Sequence, residues 1–288
     1  MIQEAVMPSR GYLICSIEGA GSHVLAEALI KTGLAGRPRD YFNPAWQESP
    51  WMRDILGDST MLTGLTKILR AGATPNGIFG AELHWAHLRY LAMALSEKDG
   101  ESPQWAPGAV MKLLEQLPKL MPTAEVLELM RTRVPNRSKF IAVFGRFQSQ
   151  IPDLRLIWMR RNNMVARAIA HYRTLHSIGH QPASTESQPL AQSAPDFDLA
   201  QIHQLYCVGL FLEESWQWFF RQQSITPHCV IYEDLVAEYE RMVRRVLEFL
   251  DIEYAGKNVV APILLPEADA LSAEWELRYH KLSEEAGL

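Results

Sequence analysis

An alternation of strand and helix patterns predicts an α/β fold around a central, largely parallel sheet. Three observations carry that prediction. Short apolar runs stand at Tyr12–Cys15, Leu154–Met159 and Cys229–Tyr232, with helical patterns after them. A small-residue loop, Gly19-Ala20-Gly21-Ser22, directly follows the first run. The length, 288 residues, fits one such domain with a helical insertion. Strands that alternate with helices pair in parallel, with helices on both faces of the sheet.

In chain order, Tyr12-Leu13-Ile14-Cys15 reads as a buried strand, and Val24–Ile30 as the helix after the loop. Gly33 to Pro50 is turn-rich, with Gly36, Pro38 and Pro44 interrupting any regular element. A helix is expected over Met61–Leu69. Thr74-Pro75-Asn76-Gly77 is a turn, and Ile78–Trp85 a short strand leading into a helix. Residues 96–108 read as a loop, and 109–140 as helical, broken at Pro118, Pro122 and Pro135, so an insertion is placed at about 96–140. Leu154–Met159 forms the next core strand. A helix is expected from about Asn163 to Thr174. The Ser/Pro/Gln-rich stretch 182–197 is expected to be a mobile loop. A long helix spans about Leu199–Gln223, its aromatics Trp216, Trp218, Phe219 and Phe220 serving chiefly for packing. Cys229–Tyr232 is a further strand. Met242, Val243, Val246, Phe249 and Leu250 recur at helical spacing in Tyr239–Leu250.

Composition narrows the functional classes. A formal net charge of −5 argues against nonspecific nucleic-acid binding. Cys15, Cys207 and Cys229 make no CxxC pair and no disulfide framework, which fits a reducing, cytoplasmic setting. The first ten residues do not read as a signal peptide, and no apolar run reaches the ~20 residues of a membrane span. His171, His176 and His180 lack the paired glutamate of an HExxH metal site, and no metal is expected.

The loop after the first strand is the main chemical signal. A glycine loop opening a helix gathers backbone N–H groups at the positive end of the helix dipole and suits an anion such as a phosphate or sulfate ester. It is not a Walker A motif, because Gly-Lys-Ser/Thr is absent, and not GxGxxG. Arg160-Arg161 follow the second core strand, and guanidinium forks suit phosphate. A tight turn without ligand and a solvated basic face are the plain alternatives. Parallel sheets bind ligands beyond the C-terminal ends of their strands, so the loop, Arg160-Arg161 and Tyr232-Glu233-Asp234 are expected along one edge.

The ordered set of segments resembles a bacterial sulfotransferase of the trehalose 2-sulfotransferase-like family over nearly the whole length. Tyr12 to Ser22 is similar to the family's first strand and 5′-phosphosulfate loop. Gly36-Arg37-Pro38-Arg39-Asp40-Tyr41-Phe42 resembles its G-x-P-x-E-[FY]-F segment, and Thr74–Gly80 with Trp85 its TPNG segment. Arg161–Arg173, Tyr232–Leu235 and the tail Ala268-Asp269, Ser272, Trp275, Arg278-Tyr279 fit as well. The resemblance implies a P-loop-like sheet topology and transfer of a sulfuryl group from 3′-phosphoadenosine-5′-phosphosulfate to a hydroxyl of a small acceptor, a carbohydrate, lipid or natural product. It implies Asp40 as general base, with His23 as a further catalytic candidate. Gly19, Ala20, Gly21, Ser22 and His23 would hold the 5′ end of the donor, Arg161 and Arg167 the 3′-phosphate, and Tyr41, Phe42, His84 and Trp85 the acceptor. Related enzymes suggest a homodimer. The chain departs from the family's pattern where Gly19 stands for an arginine, His23 for a threonine, Glu82 for a lysine and Leu271 for an arginine. Two readings therefore stand: a sulfotransferase with a rearranged donor site, or a protein that keeps the fold for another role.

Overall fold

The computed structural model describes residues 7–98, 120–133, 138–177, 195–256 and 270–288. Four strands form one sheet in the order β2-β1-β3-β4, and every pairing is parallel. β1 (Arg10–Ser16) lies between β2 (Ile78–His84) and β3 (Asp153–Arg160), and β4 (His228–Ile231) pairs with β3. β1 is buried from Gly11 onward, as a strand covered on both faces should be. The register sets Ser16 beside His84 and Arg160 beside Ile231, so the four strands end along one edge. The expected α/β class and parallel sheet are therefore what the chain forms.

Two compact units separate. The first is drawn from Met1–Gln104, Asn136–Asn162 and Trp216–Leu265, the second from Trp105–Pro135, Asn163–Ser215 and Pro266–Leu288. The sheet belongs to the first, with helices α1 (Ser22–Lys31), α2 (Pro50–Leu56), α3 (Leu65–Ala71), α4 (Trp85–Lys98), α6 (Ser138–Gln150), α9 (Tyr232–Ala237) and α10 (Tyr239–Phe249). Its core joins Tyr12 and Ile14 of β1, Leu25 and Leu29 of α1, and Val243, Val246 and Leu247 of α10. Trp216, fully buried, donates from Nε1 to the Ser16 carbonyl at 2.8 Å. Trp216, Phe219 and Phe220 are thus core residues, as their helical spacing predicts.

The second unit holds α5 (Thr123–Arg133), α7 (Met164–Ser177), the first part of α8 (Leu199–Gln222) and α11 (Ala270–Ala286). Val165, Ile169 and Tyr172 of α7 pack with Ile202 and Leu205 of α8 and with Trp275 and Tyr279 of α11. Asn163 caps α7, its side-chain oxygen accepting the Ala166 N–H at 2.9 Å.

Several element boundaries differ from expectation. The helix expected from Met61 begins at Leu65, because Thr60 and Thr63 close a turn on each other's hydroxyls at 3.0 Å. Tyr232, read as the end of a strand, opens α9. α2 and α11 were not foreseen. Ser49 accepts the Met52 N–H as the N-cap of α2, with Pro50 at its first position. In the region of the expected insertion, residues 99–119 and 134–137 lie outside the described residues, as do most of the expected loop at 182–197, His180, Ala268 and Asp269. Among the described residues no helix is long and apolar enough to cross a membrane.

Candidate active site

The C-terminal edge of the sheet gathers the chemistry. After β1 the chain turns through Gly19 and Gly21, both left-handed at φ 82° and 84°, into the N-terminus of α1. No side chain caps that terminus and no acidic residue sits in its first turn, and the Val24 N–H donates to the Gly21 carbonyl at 3.0 Å. Arg161, just past β3, donates from a terminal nitrogen to the Gly19 carbonyl at 3.4 Å, and its guanidinium lies 4.5 Å from the centroid of the Tyr232 ring.

Asp40 reaches the same edge through its backbone. Arg39 forms a parallel bridge with Ala81, and its carbonyl accepts the Glu82 N–H at 3.0 Å, so residue 40 lies beside the end of β2. The approach requires glycine at Gly36, where φ is +72° and a Cβ would stand 2.6 Å from the Gly80 nitrogen. Asn43 donates to Asp40 Oδ2 at 2.8 Å, and His87 Nδ1 stands 2.9 Å from Oδ1. Burial alone would raise the Asp40 carboxyl, but His87, His84 and Asn43 outweigh it and hold it below the ordinary value. It is therefore ionised at neutral pH, the form a general base needs.

Glu82 and His84 complete the edge. Ser22 donates its hydroxyl to Glu82 at 2.6 Å, and the Ser22 oxygen lies 3.4 Å from His84 Nε2. Burial pushes Glu82 up to about 7, against the opposing pull of His84 and the Ser22 hydrogen bond. Burial would push His84 down, yet Glu18, Asp40 and Glu82 prevail and raise it to about 9. A positive imidazole thus stands beside the loop at neutral pH. Glu18 Oε1 is 3.6 Å from His84 Nδ1, and the His84 and His87 rings stack with centroids 5.0 Å apart.

The expected site residues fall into three groups. Gly19, Ala20, Gly21, Ser22, Asp40, His84 and Arg161 converge as described. His23, the second residue of α1, is exposed as a residue. The protein around its ring removes water and, with His84, lowers the imidazole against the pull of Glu27, so His23 is not the cation of this loop. Tyr41, Phe42, Trp85 and Arg167 are interior. The Tyr41 hydroxyl donates to the Arg37 carbonyl at 3.0 Å, Phe42 packs edge-on against Phe147, and Trp85 packs between Phe140 and Trp216. None of these three presents a surface to an acceptor. Arg167, only 1% exposed, donates to the Leu205 carbonyl in the second unit. The sequence reading did not single out Asn43, and it expected Tyr232 at this edge without foreseeing its ring under Arg161. Asn43, three residues after a candidate base, had a legible signal in its turn-forming type.

A glycine-turned helix N-terminus, an arginine against it and an ionised carboxylate beside it define an α/β enzyme for anionic group transfer. The chain matches the Stf0 sulphotransferase family over residues 11–104 and 90–282, and it belongs to that family as a sulfotransferase. It is 24% identical to the trehalose 2-sulfotransferase of Mycolicibacterium smegmatis over 302 residues, covering 96% of this chain and 97% of that protein. The trehalose 2-sulfotransferase of Mycobacterium tuberculosis is 23% identical over 307 residues, covering 97% of each.

Proposed function

We propose that the protein transfers a sulfuryl group from 3′-phosphoadenosine-5′-phosphosulfate to a hydroxyl of a small acceptor in the cytoplasm. The observation that carries this reading is the turn of β1 through Gly19 and Gly21 into an uncapped α1, with Arg161 against the turn. That arrangement suits a doubly phosphorylated nucleotide, with the 5′ end on the helix terminus and the 3′-phosphate on Arg161.

Asp40 accepts the proton of the acceptor hydroxyl. The acceptor oxygen forms a bond to sulfur as the bond from sulfur to the 5′-phosphate oxygen breaks. The negative charge gathering on the leaving phosphate is met by the α1 terminus and by the His84 imidazolium. Ser22 is committed to Glu82, so the loop's contribution is its backbone rather than that hydroxyl. Because two relatives are trehalose 2-sulfotransferases, trehalose is the first acceptor to try.

Calorimetric titration with 3′-phosphoadenosine-5′-phosphate, with adenosine 5′-monophosphate as the control, tests the donor site. Micromolar binding that needs the 3′-phosphate is the expected result. No binding would mean that Glu82 and the missing loop cation have closed the site to this nucleotide, and that the fold serves another role.

A further inference from the structure

Glu18 after β1, His84 at the end of β2 and His87 in the first turn of α4 meet beside the loop. One ligand atom from each lies within 4.8 Å of the other two. The Nδ1 atoms of both histidines are shut off from solvent. His87 is only 7% exposed. Each nitrogen faces a carboxylate oxygen: Glu18 Oε1 stands 3.6 Å from His84 Nδ1 and Asp40 Oδ1 stands 2.9 Å from His87 Nδ1. Around them stand three carboxyl groups, Glu18, Asp40 and Glu82, with Arg89 the cation acting on Glu18. Two imidazoles ringed by carboxylates form a place that favours a positive ion.

We propose that Glu18, His84 and His87 bind a divalent cation of the zinc class. Two imidazole nitrogens and one carboxylate oxygen are a zinc donor set, whereas magnesium and calcium prefer oxygen alone. In a tetrahedral site with bonds of about 2.0–2.2 Å, neighbouring ligand atoms stand about 3.3–3.6 Å apart. Glu18 Oε1 and His84 Nδ1 are already 3.6 Å apart. The remaining separations are at most 4.8 Å, and to close them one of the two imidazoles, now stacked at 16° to each other, turns out of the stack so that both Nδ1 lone pairs face the ion. Asp40 Oδ1, 2.9 Å from His87 Nδ1, is near enough to serve as a fourth donor. The metal would hold His84 as a neutral ligand and take up Asp40, so it would compete with the proposed transfer step, whereas Arg161 and the α1 terminus lie outside it and nucleotide binding is read separately.

The test is calorimetric titration of the metal-stripped full chain with Zn²⁺, paired with Co²⁺ binding followed by visible absorption and with Mg²⁺ as control. One equivalent of Zn²⁺ should bind, Co²⁺ should give the ligand-field bands of a four-coordinate ion, and Mg²⁺ should give no heat. His84→Ala and His87→Ala should each weaken Zn²⁺ at least about tenfold. His176→Ala, on an exposed histidine elsewhere, should leave it unchanged. Glu18→Gln, at a half-exposed side chain, guards against a histidine variant that fails to fold, and should also weaken binding. Absence of binding, or binding indifferent to Glu18→Gln and the folded histidine variants, overturns the proposal.

Discussion

The ring of Tyr232 fills the space that a side chain on Gly21 would need. A Cβ built on Gly21 would overlap the edge of that ring, and φ at Gly21 is +84°. Arg161 lies over the same ring with its guanidinium 4.5 Å from the centroid. The ends of β1, β3 and β4 therefore lock at one point, and the loop takes its shape from Arg161 and Tyr232, both distant in sequence. Gly21→Ala should lower stability by about 1–3 kcal/mol, from strain and overlap together, and weaken 3′-phosphoadenosine-5′-phosphate at least about tenfold. Adding Tyr232→Ala removes the overlap but not the strain, so the double variant should recover only part of the loss relative to Tyr232→Ala alone. Urea denaturation and calorimetry check both effects, and a fully stable Gly21→Ala would mean the loop is not held this way.

Asp40 is fixed on both of its oxygens, by Asn43 at 2.8 Å and by His87 at 2.9 Å. Asp40→Asn is nearly isosteric and cannot take a proton from a hydroxyl. Turnover should fall by about 10²–10⁴-fold while nucleotide affinity changes little. Single-turnover kinetics with whichever acceptor is found, alongside a binding titration, separates the two. Unchanged turnover would remove Asp40 from the base role.

Much of this organisation was legible in the sequence, for physical reasons. The β1 run is apolar because both faces of that parallel strand are covered, so composition alone marks it, while β3, only part-buried, is marked by Leu156, Ile157 and Met159. α2 carried its signal in Ser49-Pro50, an N-cap followed by a first-turn proline, and the proline-rich approach hid it. Tyr232 reads as strand because it extends an apolar run, yet the backbone turns there into α9. Trp85 was expected to touch an acceptor because it follows His84 at the sheet edge. The first residue of a helix after a strand can face either way, and only the packing of Phe140 and Trp216 around it decides. The grouping of Glu18, His84 and His87 was illegible, since nothing in their spacing shows that a β1 loop and α4 meet.

Arg161 makes two contacts that a lysine cannot reproduce together: a hydrogen bond to the Gly19 carbonyl and a guanidinium 4.5 Å over the Tyr232 ring. Arg161→Ala should weaken the 3′-phosphorylated nucleotide more than adenosine 5′-monophosphate, because only the former offers the phosphate it grips. Arg161→Lys should restore part of the affinity through charge, and less than all of it through lost geometry. Equal weakening of both nucleotides by Arg161→Ala would assign the residue to holding the loop instead.

Gly209 on α8 bears on whether Arg167 is structural. A Cβ there would overlap the Arg167 guanidinium, which is buried and donates to the Leu205 carbonyl one turn earlier. Two effects oppose each other in Gly209→Ala. Alanine gains about 1 kcal/mol in helix propensity over glycine. Crowding a buried, hydrogen-bonded guanidinium costs about 1–3 kcal/mol, more if the charge loses its partner. Crowding should win, so Gly209→Ala should lower the denaturation midpoint and leave nucleotide affinity unchanged. If the variant instead gained about 1 kcal/mol, the guanidinium would not rest on Gly209 in solution, and Arg167 would again be a candidate for the 3′-phosphate.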